Sequence, residues 1–201
     1  MLRILLPTYF VIYFGTVFVL RSWLVWRRTG VYPVAFGHSD SVHDFIGRLM
    51  GVTVAVAVLV ITIFAVAPSL YPYFAPIPWL LRPAVVASGL VLLVLALLWT
   101  IWAQTAMGSS WRVGIDSQRT TELVRSGPFR WSRNPMFLGL LMTLSGLFLV
   151  LPNAVTLSIL TVGTVLILIQ VRLEEAHVLQ AHGDAYRAYC RDVGRWFSLR
   201  R

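Results

Sequence analysis

The chain has 201 residues, 58% of them hydrophobic and only 12% charged, and all 17 of its basic residues are arginines, for a net charge of +9. A soluble domain carries about 25% charged residues, so half that share, with a mean hydropathy of +0.76, excludes an ordinary soluble globule and points to lipid as the solvent. The basic excess fits anionic lipid headgroups rather than nucleic acid, since no soluble segment interleaves basic and aromatic residues.

Five apolar stretches follow in chain order. The first is Ile4–Leu20, extending toward Trp26. Then come Leu49–Ala67, Ala84–Ala103, Met136–Leu151 and Ala154–Val171. A spanning helix needs about 20 residues, which the first three supply. The last two are shorter and are separated by Pro152 and Asn153 alone, a tight-turn signal. Met136–Val171 therefore reads as a helical hairpin. The expected fold is all-α, a polytopic membrane protein of about five transmembrane helices. Residues 1–103 form the first three helices, and residues 104–201 form the hairpin with its polar flanks. Arg3 before an apolar run resembles a signal peptide. The length of the run, the lack of a small-residue cleavage site and the ending Trp26-Arg27-Arg28 favour a retained helix.

Orientation follows from the arginines. Arg27, Arg28 and Arg48 lie between helices one and two, and Arg112, Arg119, Arg125, Arg130 and Arg133 lie between helices three and four. Arg172, Arg187, Arg191, Arg195, Arg200 and Arg201 follow helix five, while the opposite side holds Arg3 and Arg82. The bias places the N-terminus outside and the C-terminus in the cytoplasm. Tyr71, Tyr73, Phe74 and Trp79, set among prolines, form an outer aromatic belt. The lone Cys190 excludes an internal disulfide and a cysteine-only metal site, and reads as a free thiol in a reducing compartment.

Polar residues concentrate in Gln104–Pro135 and Arg172–Trp196, the two flanks of the hairpin. Arg133 stands 19 residues before Pro152, and Glu174 stands 21 after Asn153. Two helices of nearly equal length return to the same depth, so Arg133 and Glu174 are expected to meet at the mouth of the hairpin. Such a pair is either a structural salt bridge or a functional site. Pro135 suits the first helical turn and Asn134 its N-cap. Gly127 and Gly139 permit close backbone approach, and the helix start can face a carboxylate or phosphate. Glu175, Leu179 and His182 continue the helical spacing to a break at Gly183. Beyond it, Tyr186 and Tyr189 read as interfacial anchors on a segment lying along the membrane surface. The pairs His38/His43 and His177/His182 lack further ligands at metal-site spacing. His43-Asp44 is an acid–base candidate, although neighbours on a helix point apart, and His38–Asp44 can form a lid. Met107–Arg112 reads as a turn capped by Trp111. No P-loop, dinucleotide fingerprint or nucleophile elbow is present.

One resemblance covers about half the chain, from Trp102 to Phe197. Leu123–Phe129, Arg133-Asn134-Pro135-Met136-Phe137-Leu138-Gly139, the hairpin, Glu174-Glu175 and Gly183–Tyr189 together resemble the isoprenylcysteine carboxyl methyltransferase family, in its wider group with phospholipid methyltransferases. The resemblance implies S-adenosyl-L-methionine as cofactor, bound on the cytoplasmic side, and a lipophilic acceptor arriving from the bilayer. Carried over by position, it implies Arg133 and Glu174 as catalytic residues. It implies Ser126, Gly127, Pro128, Phe129, Asn134, Pro135, Phe137, Leu138, Glu174, Glu175 and Tyr186 as the cofactor surface. Ser126 and Asn134 stand where the eukaryotic members have histidine. Many bacterial relatives have Asn-Pro as here, so a bacterial inner membrane is the expected location. Two other readings compete. One is an NAD(P)H-dependent reductase of the sterol-reductase type. The other is a non-enzymatic membrane subunit, which tolerates neutral replacement of Arg133 and Glu174.

Overall fold

The computed structural model describes residues 1–30, 41–108 and 123–197. The expected features at His38, Trp111, Arg112, Arg119, Arg200 and Arg201 lie outside these residues. Within them the chain is helical. The helices are α1 (Leu2–Phe14), α2 (Arg21–Thr29), α3 (Val42–Val66), α4 (Pro83–Met107), α5 (Pro135–Val150) and α6 (Ala154–Asp192). A π-helical stretch, Gly15–Leu20, joins α1 to α2 in one continuous rod.

Among the described residues, four helices are long and apolar enough to cross a membrane: Leu2–Thr29, Val42–Val66, Pro83–Met107 and Ala154–Asp192. The fourth expected span, α5, has only 16 residues. At about 1.5 Å per residue it falls short of a hydrocarbon core about 30 Å thick. The helix surfaces confirm lipid as the solvent. Val52, Leu59, Val91, Leu98, Val162 and Val165 are all exposed, an arrangement that water would penalise by about 25 cal/mol per Å².

The helix boundaries have local causes. Ser41 caps α3 by accepting from the Asp44 amide at 3.2 Å, and Asp44 sits favourably in the first turn. Pro83 and Pro135 open α4 and α5, where no amide hydrogen is needed. Asn153 begins α6 with a capping box: its side chain accepts from the Thr156 amide at 2.9 Å, and Thr156 answers at the Asn153 amide. The turn between α5 and α6 is tied to the α3–α4 connection as well. Ile77 N donates to Pro152 O at 2.9 Å, Ala154 N to Ala75 O at 3.2 Å, and Asn153 Nδ2 to Tyr71 Oη at 3.3 Å. Tyr71 of the expected aromatic belt thus also serves as an acceptor for the turn.

The core is built where helices approach closely. Leu6, Phe10, Val60, Ile61, Leu93, Leu147, Val150 and Ile159 form one buried cluster shared by α1, α3, α4, α5 and α6. Small residues admit the large ones. A Cβ on Gly146 would lie 2.8 Å from Leu93 Cγ, and one on Gly89 would lie 2.9 Å from the Val150 amide. Gly163 receives Leu144 of α5 in the same way. Glycine at these positions is what lets apolar helices pack tightly where no hydrophobic gain separates helix from lipid.

α6 breaks where the sequence indicates. Gly183 has φ 51° and ψ −122° within an otherwise continuous helix. The segment beyond the break differs from the expectation. Tyr186 and Tyr189 are buried, not interfacial anchors. They pack with Val193 against Leu123 and Val178, because the break folds the last turns back onto the loop before α5.

Candidate functional site

At the end of α5 and α6 opposite their turn, the polar residues of both flanks converge on one carboxylate. Asn134 occupies the N-cap position of α5, but its side chain makes no capping hydrogen bond. It forgoes that bond and donates from Nδ2 to Glu175 Oε1 at 2.9 Å. The Asn134 amide is satisfied by the Ser132 hydroxyl at 3.1 Å. An N-cap bond contributes about 1 kcal/mol, so its sacrifice marks the Asn134–Glu175 contact as a site feature rather than a helix device.

Two guanidinium groups complete the carboxylate's surroundings. Arg195 donates to Glu175 Oε2 from Nε at 3.0 Å and from Nη2 at 2.7 Å. Arg133 Nη2 lies 3.4 Å from Glu175 Oε1, with both side chains only 12% exposed. The Glu175 carboxylate in turn holds the Arg195 guanidinium above the ordinary arginine range. Two cations on one anion leave one positive charge uncompensated. Arg133 Nε is buried and has no partner among the described residues. A buried donor without an acceptor costs about 1–3 kcal/mol, which an anionic ligand would recover.

The backbone holds these groups in register. Arg133 N donates to Gly194 O at 3.0 Å, and Ser132 Oγ and Asn134 Nδ2 each donate to Arg195 O at 3.3 Å. Tyr189 Oη donates to Phe129 O at 2.6 Å, while Arg125 donates to Ala185 O at 2.6 Å and lies over the Tyr189 ring. The segment after the Gly183 break is thus strapped to the loop that carries Arg133. Trp99 of α4 donates to Pro135 O at 2.8 Å and fixes the start of α5 from the other side.

The expected pair of Arg133 and Glu174 is not formed. The structure puts Glu175 opposite Arg133, and Glu174 accepts from Gln170 instead at 3.1 Å. Equal helix lengths fix depth, and the depth was right to within one residue. Successive helical residues turn by about 100°, and that rotation assigns the neighbouring carboxylate to the pair. Of the expected cofactor surface, Asn134 and Glu175 make the central contact. Phe129 meets Tyr189 through its carbonyl, and Pro128 and Pro135 are buried beneath the loop. Tyr186 lies beside Tyr189, its ring tilted by 53° with centroids 6.1 Å apart. Ser126 is exposed at the rim, and Phe137 and Leu138 are half-buried in the first turn of α5. Arg195 was legible in the sequence only as one more tail arginine. Its approach to Glu175 depends on the course of the chain after the Gly183 break, which no spacing rule anticipates.

Gly127 has a specific role in the loop. Its φ is +58°, and a Cβ there would lie 2.9 Å from Ala106 Cβ of α4. Gly127→Ala is expected to cost about 2 kcal/mol through backbone strain and overpacking. The thermal midpoint in detergent should fall, while Gly51→Ala, whose Cβ meets nothing within 4 Å, should move it far less.

No curated protein matches the chain. The model of one family, described as phospholipid methyltransferase, matches residues 84–185, the stretch from the start of α4 to just past the Gly183 break. It spans both helices of the site, the loop bearing Arg133 and Asn134, and Glu174 and Glu175. The apolar helices and this match together make the protein an integral membrane methyltransferase, a member of the phospholipid methyltransferase family.

Proposed function

We propose that the protein transfers a methyl group from S-adenosyl-L-methionine to a lipophilic acceptor that reaches the site from the bilayer. α5 and α6 act as a membrane hairpin with its mouth on the cytoplasmic side, as the arginine distribution favours. Residues 104–201 then carry the donor site and residues 1–103 the scaffold. The N-terminus lies outside, and a bacterial inner membrane is the natural setting.

The observation that carries this reading is the saturation of Glu175 beside an unsaturated Arg133. Glu175 Oε1 is engaged by Asn134 and Arg133, and Oε2 by Arg195. Its role is to hold Arg133 in place. The spare Arg133 Nε donor is then available to an anionic group, such as the donor's carboxylate. When bound, S-adenosyl-L-methionine supplies an electrophilic methyl on a sulfonium. The protein has little covalent work to do in such a displacement, and holding two reactants in line can supply about 7–11 kcal/mol of the barrier. The Ser132–Arg195 strap, the Trp99 contact and the Arg133–Glu175 pair provide rigidity of that kind.

The test is calorimetric titration of the purified protein with S-adenosylhomocysteine and, separately, NADPH. Saturable binding of the first alone is expected. Arg133→Ala should weaken it about 10- to 100-fold, the loss of one charged hydrogen bond. NADPH binding alone would install the reductase reading instead. Binding of neither by folded protein would leave a non-enzymatic subunit.

A further inference from the structure

A second polar cluster stands where α6 meets α3, one residue from Glu175. The Gln170 amide nitrogen lies 2.8 Å from His43 Nδ1 and 3.1 Å from Glu174 Oε1. One amide group carries two hydrogens, and each finds an acceptor. In this arrangement His43 Nδ1 presents a lone pair and Glu174 is a carboxylate. The other end of the amide, Gln170 Oε1, is buried and without a partner among the described residues.

Turning the amide over would set Oε1 against the same two atoms but would leave both amide hydrogens without the acceptors they now have, so the observed arrangement favours the carboxylate. Among the described residues that one amide is the only hydrogen-bond donor on Glu174, which leaves the carboxylate able to take a proton. Glu175 has no such freedom, because Asn134, Arg133 and Arg195 occupy both its oxygens. Two adjacent carboxylates thus receive opposite assignments from their surroundings, one held ionised and one free to titrate. Among the described residues, the other titratable and charged groups nearby are Asp44 beside His43 on α3, His177 farther along α6, Glu175 on the adjoining face of α6, and Arg133 in the loop before α5.

We propose that Glu174 receives the proton released by methyl transfer, with Gln170 and His43 as its positioning residues. This rests on the methyl-transfer reading above and narrows the acceptor class. The acceptor's lone pair forms the bond to the methyl carbon, and the methyl–sulfur bond breaks with its electron pair left on sulfur. The acceptor's proton passes to a Glu174 oxygen. A proton-bearing nucleophile, an amine or hydroxyl headgroup, needs such a receiver. A carboxylate acceptor releases no proton and leaves the cluster without purpose.

The test is infrared difference spectroscopy of the full chain in nanodiscs, stepped over about pH 5 to 9, beside S-adenosylhomocysteine calorimetry. A protonated-carboxyl band should fade as pH rises and be missing from Glu174→Gln. Gln170→Leu removes the donor that favours the carboxylate, so the midpoint should rise by about one unit. Label transfer from methyl-labelled donor into lipids bearing amine and hydroxyl headgroups should fall about 100-fold in Glu174→Gln. Its acid limb should shift with Gln170→Leu. A band that Glu174→Gln leaves in place overturns the proposal, as does an unmoved acid limb in Gln170→Leu. Should Glu174→Gln fail to fold, the Gln170→Leu midpoint decides alone. Protein that titrates as described but binds no S-adenosylhomocysteine overturns the methyl-transfer reading itself.

Discussion

Glu175→Ala is expected to abolish S-adenosylhomocysteine binding and to lower stability by about 3 kcal/mol. Glu175 is the one described carboxylate that touches Arg133, Arg195 and Asn134 together. Removing it leaves two guanidinium groups facing each other with no anion between them, one of them only 12% exposed. Stripping one partner from a buried charge pair costs about 3–5 kcal/mol, mostly as the penalty on the charge left behind. The lower end applies because Arg195 can turn toward solvent. The strap would loosen next, since Arg195 also accepts from Ser132 and Asn134 through its carbonyl. Glu175→Gln separates charge from shape. Its amide oxygen can still accept from Asn134, so folding should suffer less while binding is still lost. Unfolding monitored in detergent reads the first quantity and calorimetry the second. Unchanged binding in both variants would remove Glu175 from the site.

Much of this arrangement was open to reading from the chain itself, and the limits of that reading have physical causes. The apolar runs and the Pro152-Asn153 turn depend on local composition, and both ends of α5 and the start of α6 fall within a residue of where those signals put them, while α6 runs past its apolar stretch to Asp192. Gly183 was marked by its place in a helical pattern, and it is the break. That Arg133 comes level with the Glu174-Glu175 pair followed from counting residues along two helices, which sets depth but not rotation. The partner of Arg133 therefore came out one residue away from the expected Glu174. Arg195 was out of reach for a different reason. Its contact with Glu175 requires the chain to reverse at Gly183, bury Tyr186 and Tyr189, and pass beside Ser132. Those are tertiary events that no sequence period encodes. The π-helical stretch Gly15–Leu20 was equally silent. It places the Val17 carbonyl where Gln104 Nε2 donates to it at 2.8 Å, and it precedes buried Arg21, which donates to the Gly108 carbonyl.

Gly146→Leu should have the larger effect on folding, even though it lies far from the charged groups of the site. α4 and α5 meet along Gly89, Leu93, Gly139 and Gly146, with Gly139 seated on Thr100 and Trp99. A Cβ at Gly146 meets Leu93 Cγ at 2.8 Å, Leu93 Cδ2 at 2.9 Å and the Gly89 carbonyl at 3.1 Å. Leu93 is 1% exposed and has nowhere to turn, and the Gly89 carbonyl is backbone. The only relief is to part the helices. Overpacking by a few methyl-sized groups costs about 1–3 kcal/mol when side chains can adjust, and more is expected when backbone must move. Parting α4 from α5 also pulls Trp99 away from the Pro135 carbonyl, so the start of α5 and the Arg133–Glu175 contact beyond it lose their support. Gly146→Leu is thus expected to reduce the monodisperse fraction in detergent severalfold, and the protein that survives should bind S-adenosylhomocysteine weakly. Gly51→Leu adds the same bulk to α3 where nothing lies within 4 Å, and should change neither. Equal behaviour of the two variants would mean that the α4–α5 seam does not hold the site. A selective loss at Gly146 would show that a contact made only of apolar atoms and one carbonyl positions a charged pair more than two helical turns away.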